Sequence, residues 1–120
     1  GRTRTRLTFV VAASADNTAP VVRIVGLEPV RLERLLRAGL SVVLRGSEPA
    51  RADITLLDRT RVLGRARRVI GPRDVTARMR LSGRSAASLR GRRNVRLKLR
   101  VVARDDAGNR TTLRKTFIAR

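Results

Sequence analysis

Apolar and polar residues alternate with a period of two along most of this chain, which is the signature of half-buried β-strands. The cleanest run is Asn94–Arg104. Val95, Leu97, Leu99, Val101 and Ala103 fall on one face, and Arg96, Lys98, Arg100 and Arg104 on the other. Val75–Leu81 repeats the pattern, with Val75, Ala77, Met79 and Leu81 inward and Thr76, Arg78 and Arg80 outward. Leu40, Val42 and Leu44 alternate with Ser41 and Val43, and Ala52, Ile54 and Leu56 with Asp53 and Thr55. Val21–Val25, Arg61–Ile70 and Thr111–Ala119 are less regular runs of the same kind. Turn-forming residues separate them: Ser47-Glu48-Pro49, Asp58-Arg59, Gly71-Pro72 and Asp106-Ala107-Gly108-Asn109. Seven short antiparallel strands with such turns predict an all-β sandwich. Its expected core is Val42, Leu44, Ile54, Leu56, Val75, Met79, Leu97, Leu99, Val101 and Phe117.

One segment breaks the period. From Val30 to Ala38, Leu32, Leu35 and Leu36 recur at helical spacing, with Pro29 before and Gly39 after. This predicts a short helical turn near 30–38 that plugs one side of the sandwich between its first two strands. Ser85–Leu89 is a second expected turn, ahead of the longest strand.

The N-terminal residues echo the C-terminal ones. With Phe9 set on Phe117, Arg2–Val11 (RTRTRLTFVV) aligns with Arg110–Ala119 (RTTLRKTFIA). The offset is about one sandwich domain plus a linker. Residues 1–12 therefore read as the last strand of a preceding repeat, 13–18 as a linker, and 19–120 as the domain. The same N-terminal residues also fit the layout of an export signal, with Ala13-Ser14-Ala15 as its cleavage site. The alternation of Thr and Arg fits a strand better. Both readings place the protein outside the cytoplasm, secreted or at a cell surface. No run approaches the ~20 apolar residues of a membrane-spanning helix, so no transmembrane segment is expected.

Composition then narrows the chemistry. The chain of 120 residues has no His and no Cys, which removes the commonest metal ligand and proton shuttle along with disulfides and thiolate sites. Asp105 and Asp106 are sequence neighbours, which point to opposite faces on a strand and make a poor acid/base pair. No phosphate-cradling P-loop occurs, and no enzyme activity is expected. The net charge is +20, carried by 27 Arg and only two Lys. Phosphate recognition does not require Lys to be excluded so thoroughly, whereas codon bias in a high-GC genome produces this skew. A cationic surface attracts anionic polymers whatever its origin.

Three short motifs carry a family resemblance. Asp16-Asn17-Thr18-Ala19-Pro20 opens the domain, Ser47-Glu48-Pro49-Ala50 follows the second strand, and Asp105-Asp106-Ala107-Gly108-Asn109 precedes the last. Together with the segment VRLERLLRAGLSVVL (Val30–Leu44), they resemble bacterial Ig-like, fibronectin type III-like repeats of the Arg-rich actinobacterial type. The resemblance spans residues 16–120. It implies a spacer or adhesion module of a secreted or cell-surface multidomain protein, with neighbouring repeats as its immediate partners. The buried Trp, Cys pair and corner Tyr of antibody domains are absent, so no immune-receptor function carries over.

Two candidate sites follow. If the first linker, the loop after the second strand and the last hairpin turn share one pole, they gather Asp16, Asn17, Glu48, Asp105, Asp106 and Asn109. Such oxygens suit calcium, which takes about 6–8 of them and would make this a calcium-stiffened linker repeat. The same residues also make an ordinary hairpin turn and a polar linker without any ion. No other cofactor is expected. The second candidate is a basic face. Under fibronectin-like pairing, Arg96, Lys98, Arg100, Arg114, Arg65 and Arg67 share the outer side of one sheet. That face suits a wall polymer, polysaccharide or nucleic acid held by charge. It also reads as a solvated surface that discourages edge-to-edge pairing. Without interleaved aromatics or a recognition motif, no specific reading of nucleic acid is expected.

Overall fold

The computed structural model describes residues 19–120. The expectations for 1–12 and 13–18, and for Asp16 and Asn17, lie outside the described residues. Seven strands and two short helices follow Pro20 in these residues: β1 (Val22–Glu28), α1 (Leu32–Ala38), β2 (Leu40–Gly46), β3 (Ala50–Asp58), β4 (Arg61–Ile70), β5 (Val75–Met79), α2 (Gly83–Leu89), β6 (Val95–Arg104) and β7 (Arg110–Ala119). They form a three-stranded sheet in the order β1-β2-β5 and a four-stranded sheet in the order β4-β3-β6-β7. All pairings are antiparallel. The two sheets bury one contiguous core between them, so each strand has one dry face.

The alternation in β6 is realised residue by residue. Val95, Leu97, Leu99, Val101 and Ala103 are buried, and Arg96, Lys98 and Arg104 are exposed. Of the expected core, Val42, Leu44, Ile54, Leu56, Met79, Leu97, Leu99 and Val101 are fully buried. Val75 and Phe117 are half-buried against it, because β5 and β7 are edge strands with one open flank.

The helical segment starts later than the proline suggested. Pro29 lies in the loop after β1, and α1 begins at Leu32 with Arg31 as its N-cap. Rather than plugging a side, α1 closes one end of the sandwich. The Leu32 N–H donates to the Arg120 carbonyl just past β7, and the Arg120 N–H donates to the Val30 carbonyl. Leu32 and Leu35 are its buried residues. Gly39 ends the helix at φ 83° and ψ −173°, a conformation essentially restricted to glycine. α2 begins two residues before the expected turn because Ser82 caps it, its Oγ accepting from the Ser85 N–H at 3.1 Å.

The opposite end collects the loops. The Ser47 N–H donates to the Val21 carbonyl, and the Val21 N–H donates to Ser47 Oγ. Thr111 Oγ donates to the Pro20 carbonyl, which ties the beginning of the domain to the beginning of β7. The Gly46 N–H reaches the Gly71 carbonyl and adds the β4–β5 loop to this pole.

Candidate functional site

Strand register places the predicted cations. In the four-stranded sheet Thr55 pairs with Arg65 on one side and Arg100 on the other, and Arg100 pairs in turn with Arg114. The next outward row runs Arg67, Asp53, Val102, Thr112, and the row beyond it Val69, Arg51, Arg104, Arg110. Toward the other end lie Leu57, Lys98 and Thr116, then Arg96 beside Ile118. Arg96, Lys98, Arg100, Arg114, Arg65 and Arg67 therefore share one face, and Arg51, Arg104 and Arg110 join them there. Arg51 and Arg104 were legible, since each alternates with an inward residue of its strand. Arg110 needed the β6–β7 register, which sets it opposite Arg104.

This face holds nine cationic side chains and one acid, Asp53, which pairs with Arg67 at 2.9 Å. Among the described residues, Arg67 alone of the nine has an ion-pair partner. Three adjacent pairs set arginine directly against arginine: Arg100 with Arg114, Arg104 with Arg110, and Arg51 with Arg104. Like charges in directly opposed cross-strand positions repel. The side chains flank one another closely enough that Thr55, in mid-row on the outer face, is 8% exposed. Arginine stems cover such positions while their heads stay in water.

The three-stranded sheet is different. Its outer face carries Arg23, Arg45 and Arg78, offset by Glu28 and Asp74. Arg45 faces Arg23 across the ladder, but its Nε donates to Asp74 Oδ1 at 2.7 Å, and that hydrogen bond with the carboxylate charge raises the guanidinium pKa further. Of the two outer sheet faces, that of the four-stranded sheet thus carries the larger excess of cations over acids, which composition alone does not disclose.

The acidic pole forms in part. Asp105 anchors the β6–β7 turn: its Oδ1 accepts from the Asn109 backbone N–H at 2.8 Å and its Oδ2 from Asn109 Nδ2 at 3.1 Å. Partial burial pushes its carboxyl up. Hydrogen bonds from the Asn109 side chain and backbone, with the Glu48 carboxyl, and from the Ala107 N–H outweigh that and hold it below the usual range. Glu48, Asp105 and Asn109 are therefore in contact as expected, with Asp106 exposed beside them. Among the described residues no three acidic side chains converge in a way that would hold a metal ion. The geometry supplies a turn lock, and Asp105's oxygens are already occupied within it.

That lock gives a pH dependence with a defined sign. A carboxyl depressed in the folded state stabilises above its unfolded pKa, near 3.9, and the contribution disappears as pH falls through the lower folded value. Protection factors of amides in the β6–β7 turn, measured against the intrinsic exchange rate at each pH, are expected to fall below about pH 4 in the native protein and to be low at all pH values in Asp105→Ala. Equal protection of the turn in both proteins at neutral pH would refute the assignment.

Arg51, Asp53, Arg67, Val102, Arg104 and Asp105 border a shallow groove of about 520 Å³ where the basic face meets this pole. No helix among the described residues is long and apolar enough to cross a membrane. Compared with protein-family models, with curated proteins and with solved structures, the chain matches none.

Proposed function

We propose that this chain is a non-catalytic Ig-like, fibronectin type III-like module that acts as a structural spacer or adhesion unit in a secreted or cell-surface multidomain bacterial protein. The observation that carries the reading is where the segments flanking the sandwich lie. Pro20 is bonded beside the first residues of β7, and Arg120 follows the last. Pro20 and Arg120 thus lie at opposite poles of the sandwich, a geometry that would let such modules join end to end.

Two further features support it. The first, second and fifth strands pack against the third, fourth, sixth and seventh, an arrangement that suits an Ig-like sandwich whose fourth strand has joined the second sheet. The side chains with chemistry to offer are engaged structurally: Asp105 closes a turn, Asp58 accepts from Arg92 at 2.7 Å, and Asp53 holds Arg67.

Concatemers of one, two and three copies test the proposal by small-angle scattering. Nine strand rises in β7 correspond to about 30 Å, so each added copy should lengthen the particle by at least that amount. A maximum dimension that stays flat with copy number would overturn it, because collapsed modules hold nothing at a distance.

A further inference from the structure

We infer that the outer face of the four-stranded sheet is a docking surface for a linear polymer with closely repeated phosphate groups, bound through its backbone charges and not through bases. Six arginines form its centre: Arg51, Arg65, Arg100, Arg104, Arg110 and Arg114. They occupy two cross-strand rows on strands about 4.8 Å apart; the row of Asp53 and Arg67 lies between them, so that along β6 the two rows are about 14 Å apart. From Arg96 to Arg104 the cationic strip is roughly 27 Å long, which suits an extended chain more than a small anion.

Three observations carry the inference beyond net charge. First, of the two outer sheet faces this one has the larger cation excess, since the opposite face offsets its arginines with Glu28 and Asp74. Second, the opposed arginine pairs have no acidic partner among the described residues, so the folded protein holds a repulsion that a bound polyanion would relieve. Each guanidinium offers a planar fork that matches phosphate oxygens. Third, the face carries no aromatic side chain. Phe117, the one aromatic among the described residues, pairs with the inward Leu97 and packs half-buried on the core. Bases would find no stacking platform, which favours a phosphate polymer without them over single-stranded nucleic acid.

Titrations with inorganic polyphosphate and with a single-stranded oligonucleotide of equal phosphate number test this at about 0.15 M salt. The triple variant R100Q/R104Q/R114Q should bind polyphosphate at least about tenfold more weakly, with the slope of log K against log salt smaller in magnitude by about two. The control R23Q/R78Q/R84Q removes the same charge from elsewhere and should change affinity less than about threefold. The first variant should melt no lower than the parent, because it removes all three opposed arginine pairs, so lost binding there is not lost folding. Equal weakening by both triples would reduce the effect to diffuse net charge and overturn the face. An oligonucleotide bound more than about tenfold tighter than polyphosphate would overturn the polymer class in favour of base recognition. Absence of polyphosphate binding at this salt would overturn the inference altogether.

Discussion

Leu99→Ala is expected to lower the free energy of unfolding by about 2–5 kcal/mol, a large share of the roughly 5–15 kcal/mol that holds a typical domain together. Leu99 lies on β6, one of the two central strands of the four-stranded sheet, and is fully buried. It faces Leu56 across one ladder and Lys115 across the other. Both ladders pin the backbone, so the sheet cannot close over the space that the lost isopropyl group leaves. The cost then includes the cavity as well as the lost transfer free energy. Leu97→Ala belongs to the same class, being equally buried and opposite Phe117. Lys98→Ala, on the outer face between them, should stay within about 0.5 kcal/mol. Urea denaturation of the three variants provides the check. Losses below 0.5 kcal/mol at both leucines would mean that the inward face of β6 is misassigned.

Gly39→Ala is expected to cost at least about 3 kcal/mol, far more than alanine at the chain's other positive-φ glycines. Two effects add at this position. With φ at 83° and ψ at −173°, the backbone occupies a region that L side chains avoid. An added Cβ would also press directly on the Met79 carbonyl oxygen and stand 3.1 Å from Arg80 Cα. Both neighbours are backbone, and Met79 is the register partner of Leu40 at the start of β2, so relief requires unzipping the end of the β2–β5 ladder. Gly91 and Gly108 have φ values of 77° and 87°, but an added Cβ meets nothing within 4 Å at either. Alanine there should cost only the conformational penalty of about 1–2 kcal/mol. Thermal or urea melts of the three alanine variants separate the two effects. A Gly39→Ala loss no greater than that at Gly91 would show that the contact with Met79 is unimportant.

Much of the fold was legible because burial on one side of a sheet writes itself into a strand as alternation. β6 is the clearest case: Val95 through Ala103 went inward at every second position, as the pattern implied. Where the pattern was less regular, bounds moved in two of the three runs. β1 runs to Glu28 instead of Val25, through a register irregularity between Ile24 and Gly26 that blurs the period of two. Pro29 misled for a related reason. A proline near leucines at helical spacing marks a helix start, but here it belongs to the loop before the Arg31 cap. The acidic pole was half legible. The turn chemistry of Asp105 and Asn109 is local and therefore readable, whereas the meeting of Asp105 with Glu48 joins residues far apart in the chain.

The charge divides along the same line. The sequence by itself determined that this is an arginine-rich all-β chain with strands wet on one side, because side-chain alternation is a property of each strand alone. It also determined that a glycine, Gly39, stops the first helix. Which strands are neighbours is a property of pairs, and no single strand's periodicity contains it. Only the tertiary structure decided that β4, β3, β6 and β7 lie side by side, stacking Arg65, Arg100 and Arg114 in one row and Arg51, Arg104 and Arg110 in another. Cations scattered along the chain thereby become neighbours on one sheet face, since strand pairing fixes the distances between charges and distance sets the strength of their interaction.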